Sequence, residues 1–129
     1  MHSVLCNTRR PDITFYPNGR IDITSRIAKM LNLCDGDVID VAVNGPEYML
    51  YIKHRRESIA GSHECTCHAS KRNSRNFRTY SRRLCEFMSS VCECSPDTPL
   101  YVAAGDAETD ELHGAMVPLI TKIKINRHD

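Results

Sequence analysis

A chain of 129 residues with 41% hydrophobic residues, 6% aromatics, no Trp and a net charge of +1 has the size and composition of a single compact domain, residues 1–129. No apolar run approaches the ~20 residues of a membrane span, MHSVLCNTRR lacks the apolar stretch of a signal peptide, and an odd count of seven Cys does not suit a disulfide framework. Membrane, collagenous and knottin-like classes are excluded, and a cytoplasmic protein with reduced thiols is expected.

The first half is strongly punctuated. Asp12 to Tyr16 places Ile13 and Phe15 on one face, Pro17-Asn18-Gly19 supplies a turn, and Ile21 and Ile23 resume the period of two, which predicts a β-hairpin. Thr24 or Ser25 is then the expected N-cap, its side chain accepting backbone N–H bonds, for a short helix carrying Ile27, Met30 and Leu31. Cys34-Asp35-Gly36-Asp37 ends it, Val38 to Val43 reads as an apolar strand, Asn44-Gly45-Pro46 as a turn, and Tyr48 to Lys53 as the returning strand.

Residues 54–76 show no periodicity and read as a basic, Cys- and His-containing loop, long for a connection inside a compact domain. Residues 77–124 read as a helix plus a β-hairpin. Tyr80, Leu84, Phe87, Met88 and Val91 mark the apolar face of the helix, Ser95-Pro96-Asp97 stops it, and Leu100 to Ala104 is a strand. Gly105 to Gly114 is an acidic connection, and Ala115 to Lys124 is a strand that Pro118 assigns to an edge or a bulge. Aligning Ser25-Arg26 with Ser81-Arg82 sets Ile21 and Ile23 on Phe77 and Thr79 and helix on helix; a true internal repeat and a chance match of two β-α-β stretches both account for this.

Charge is unevenly spread. From Lys53 to Arg83 there are nine basic residues against Glu57 and Glu64, a local +7 that leaves −6 elsewhere. Such a block is the electrostatic footprint of a nucleic-acid surface, of a solvated loop, or of one half of an internal charge balance.

The run Asn18-Gly19-Arg20-Ile21-Asp22-Ile23-Thr24-Ser25-Arg26-Ile27-Ala28-Lys29-Met30-Leu31-Asn32-Leu33-Cys34-Asp35-Gly36-Asp37-Val38-Ile39-Asp40-Val41 resembles the AbrB (SpoVT-AbrB, MazE-like) swapped-hairpin family in the order and spacing of Gly-Arg, a short helix, Gly-Asp and an apolar strand. The resemblance covers residues 11–53. It implies a β-rich α+β fold whose first half is an AbrB-like swapped-hairpin β-barrel, a homodimer with interleaved strands, and a DNA-binding, antitoxin-like transcription regulator. It also implies that Arg20, in the hairpin, and Lys29, on the helix, face DNA. The basic block adds Lys71, Arg72, Arg75, Arg78, Arg82 and Arg83 as candidate phosphate contacts. The alternative is a protein-interaction or structural module that keeps the fold without binding DNA, with Arg20 paired to Asp22 or Asp37 and Lys29 solvated.

His63, Cys65, Cys67 and His68 are soft ligands, as are Cys92 and Cys94, but Cys-x-Cys is not the Cys-x₂-Cys knuckle of structural zinc sites, so no metal is expected. Asp106, Glu108, Asp110 and Glu111 lack EF-hand order and read as a solvated loop. No phosphate loop, nucleophile elbow or His-Glu-x-x-His helix is present, which points to a non-enzymatic protein without a cofactor. Assembly is left between a dimer, favoured by the family habit, and a monomer whose second half closes the barrel.

Overall fold

A computed structural model describes residues 11–55, 64–72 and 75–121. In chain order it contains β1 (Ile13–Phe15), β2 (Arg20–Ile23), α1 (Ser25–Leu31), β3 (Val38–Asn44), β4 (Glu47–His54), β5 (His68–Ala69), β6 (Phe77–Tyr80), α2 (Arg82–Val91), β7 (Leu100–Ala104), β8 (Glu108–Asp110) and β9 (Gly114–Ile120). The strands form one antiparallel sheet in the order β3-β4-β9-β7-β1-β2-β6-β5, with β8 on β9. The sheet curls until its ends meet. Thr66, just before β5, bridges Val38 in β3, the Ile39 N–H donates to the Cys65 carbonyl at 3.1 Å, and the Cys67 N–H donates to the Asp37 carbonyl at 2.7 Å. The protein is thus a strand-rich α+β fold. Ile13, Phe15, Ile21, Ile23, Ile27, Leu31, Ile39, Leu50, Met88, Val102 and Val117 fill its interior, as the period of two in the strands requires.

The pairings carry an internal symmetry. Thr14 faces Asp22 in β1·β2, and His68 faces Arg78 in β5·β6; β2 and β6 then pair so that Asp22 faces Arg78, with Ile21 on Thr79 and Ile23 on Phe77. In an antiparallel pair, a residue opposite its own counterpart marks a two-fold axis normal to the sheet. The far side of the sheet meets the same condition. Ile39 faces Ile52 as Ala104 faces Leu119, which makes Val117 the counterpart of Leu50, and these two face each other in β4·β9. Local bonds repeat as well: the Tyr16 N–H donates to the Arg20 carbonyl and the Ser70 N–H to the Asn76 carbonyl, both at 2.8 Å. Ile27, Ala28 and Leu31 are buried in α1 as Leu84, Cys85 and Met88 are in α2.

Several expectations need correction. Thr24 is the N-cap residue of α1, but its hydroxyl donates to the Asp12 carbonyl at 3.0 Å instead of capping the helix; Ser81 caps α2 by accepting the Leu84 N–H. Tyr80 belongs to β6 and Phe87 is exposed, because the buried face of α2 is Leu84, Cys85, Met88 and Ser89. Within residues 54–76, β4 extends to His54 and β5 pairs with β6. The acidic connection contains β8. β9 is neither an edge nor bulged at Pro118, lying between β4 on one side and β7 and β8 on the other. Pro118 is tolerated because its C=O accepts from the Gly105 N–H at 2.9 Å, so its nitrogen faces the gap between β7 and β8, where no partner acceptor is needed. Residues 122–124 lie outside the described residues.

Candidate nucleic-acid interface

The candidate basic residues do not fall on one surface. Lys71, Arg72 and Arg78 line an open concavity of about 480 Å³ with His68 and Tyr80. Arg20 is opposite Tyr80 in the β2·β6 register, on the same outward face as Arg78. Its guanidinium lies 4.0 Å from the centre of the Tyr16 ring, and Nη2 is 3.4 Å from Asp22. The ring and the carboxylate therefore orient a planar cation at the surface. Lys29, exposed on α1, lines a second concavity of about 430 Å³ together with Arg75 and Phe77. Arg82 is exposed at the start of α2, with its backbone against the Gly19 turn.

Arg83 faces elsewhere. Its guanidinium bonds Glu64 at 2.7 Å, the Ser81 hydroxyl donates to the same carboxylate, and the group borders a third concavity of about 470 Å³ with Lys53, Asp40 and Phe87. Arg83, then Ser81, hold the Glu64 carboxyl below the usual carboxylate range, and Glu64 raises Arg83 in turn. The other half has a matching arrangement, in which buried Asp12 meets Arg26 at 3.1 Å and accepts the Ala104 N–H at 2.7 Å.

Much of the basic block is thus paired internally. Arg78 Nε bonds Asp22 at 2.8 Å, which raises the guanidinium above its ordinary value, and Arg55 bonds Asp37 at 2.8 Å. Lys53 approaches Asp40 at 4.0 Å. The balancing acids are Asp22, Asp37 and Asp40 of the first half and Glu64 within the block itself.

Among the described residues no three His, Cys, Asp or Glu side chains gather around a common point. Cys65 and Cys67 are both buried, as is Thr66 between them, where the chain turns through a left-handed Cys65 and bonds to β3. Burial raises both thiols, and it raises Cys85 and Cys92 to about 11 each. Such thiols are poor nucleophiles at neutral pH. Sequence reasoning missed the aromatic part of the outward face. Tyr80 and Tyr101 are 56% and 57% exposed, and Tyr101 faces Thr14 in the row that continues through Asp22 and Arg78 to His68. The alternation of Phe77 and Thr79 carried this signal, because it sends Arg78 and Tyr80 outward. Comparison with family models, curated proteins and solved structures found no match to this chain.

Proposed function

We propose that this chain is a non-enzymatic nucleic-acid-binding regulator, built on an AbrB-like swapped-hairpin scaffold, whose contact surface is the outward face of β2, β6 and β5. The observation that carries the reading is the convergence of Lys71, Arg72 and Arg78 on one open concavity with Tyr80, beside Arg20. Cations on an exposed, open surface meet phosphates by releasing condensed counterions, so affinity should fall steeply with salt, with a slope of about −2 to −4 for three or four phosphates. Asp22, directly opposite Arg78, accepts its Nε–H at 2.8 Å and holds the guanidinium at this face.

Titration with mixed-sequence nucleic acid at several salt concentrations tests this. Replacing Lys71 and Arg72 together by Glu should weaken binding at least tenfold and flatten the salt slope by about two; equal affinity in both proteins would reject the surface. The second reading, a protein-interaction module, draws on Phe87 and Val43, 42% and 62% exposed, with Phe87 bordering the third concavity. It predicts no salt-dependent nucleic-acid binding at all.

A further inference from the structure

We propose that the nucleic acid taken by this face is single-stranded, stacked on the exposed rings Tyr101 of β7 and Tyr80 of β6, rather than a duplex. The inference rests on the nucleic-acid reading above and adds the class of ligand. Three outward positions carry the argument. Each has a counterpart across the approximate two-fold axis, and in every case the counterpart has different chemistry: Arg78 corresponds to Asp22, Arg20 to Asn76, and Tyr101 to Gly36. A palindromic duplex presents the same groups on both sides of its dyad and rewards a protein surface that does likewise. This face has a symmetric backbone and an asymmetric set of side chains. It matches a ligand with direction, which a single strand has.

The side-chain types point the same way. Exposed rings and a ring-stacked guanidinium on a sheet surface offer flat partners to unpaired bases, while bases within a duplex keep their faces covered by their neighbours. Tyr101 on β7 and Tyr80 on β6 are three strand spacings and two residues of register apart, roughly 16 Å, with Arg20 over Tyr16 between them. That distance accommodates about three unstacked nucleotides, with Lys71 and Arg72 placed at the β5 side for the backbone of the strand. Among the described residues, the negative groups on the face are Asp22, which is bonded to Arg78, and Asp35 beside His68, against Arg20, Lys71, Arg72 and Arg78.

The test is fluorescence anisotropy of the full chain with labelled dT12, U12 and a mixed-sequence 12-base-pair duplex at one low salt concentration. The expected result is at least tenfold tighter binding of one or both single strands than of the duplex. Tyr80→Ala and Tyr101→Ala should each lose about tenfold, with circular dichroism unchanged, and Tyr80→Phe should retain wild-type affinity because it keeps the ring. Equal or tighter binding of the duplex, or unchanged affinity in both alanine variants while the Lys71→Glu, Arg72→Glu protein loses binding, overturns the single-strand proposal and leaves the nucleic-acid reading standing. Absence of binding to all three probes overturns both.

Discussion

Arg55 fastens the end of α1. Its guanidinium bonds the buried carboxylate of Asp37 and the carbonyls of Asn32 and Leu31, at 2.8, 2.8 and 3.5 Å, while Asn32 takes the left-handed conformation that ends the helix. Arg55→Ala leaves Asp37 without that cation, and chemical denaturation should show a loss of about 2 kcal/mol. The Asp22–Arg78 pair is more exposed, and its geometry sets a different test. Arg78→Asp places two like charges opposite each other and should destabilise by about 1 kcal/mol. The double exchange Asp22→Arg, Arg78→Asp should recover most of the loss, measured by the same urea midpoints. Glu64 gives a pH signature. Since the folded state lowers its carboxyl pKa, the associated stability is present above the unfolded pKa and is lost as pH falls through the folded one. Glu64→Gln should therefore flatten the decline in melting temperature below the ordinary carboxylate range.

Glycines at two contacts control how the elements meet. A Cβ on Gly105 would lie 3.0 Å from Pro118 Cγ, at the gap between β7 and β8 that admits the proline into β9. At Gly19 φ is +96°, and a Cβ would lie 3.2 Å from the backbone nitrogen of Arg82, where the β1–β2 turn meets α2. Gly19→Ala should cost about 1–2 kcal/mol or more, because conformational strain and the contact add; thermal denaturation checks it. Strand positions in the first half were legible in the sequence, since Gly19, Gly36 and Gly45 all sit at positive φ in turns that the composition announced. The strand alternation of Phe77 and Thr79 was legible too. β5 was not, because two residues are too few for a period and their pairing with β6 depends on where the rest of the sheet puts them. Of the site, the basic residues could be read individually from sequence. Their division among three surfaces could not, since it depends on long-range partners such as Asp22 for Arg78 and Glu64 for Arg83.

At the level of the whole molecule, β4 is paired on both sides within one chain, by β3 and by β9, so the edge that a partner subunit would otherwise cover is already occupied. Sedimentation equilibrium across micromolar concentrations should accordingly give a mass near 14.6 kDa; a mass twice that value would reassign the pairing to two copies. The order of the strands also bears on how the chain reaches this state. β1 pairs with β7, Ile13 opposite Val102, and β4 with β9, Leu50 opposite Val117, so both halves of the sheet remain incomplete until the end of the chain is available. Contacts of such sequence separation require large loops to close before they bring any stabilisation, which slows folding relative to helical domains of similar length. During synthesis on the ribosome, the first half would emerge with the free edges of β1 and β4 unpaired, and the interval before β7 and β9 follow is when association with a second nascent chain competes with the native pairing.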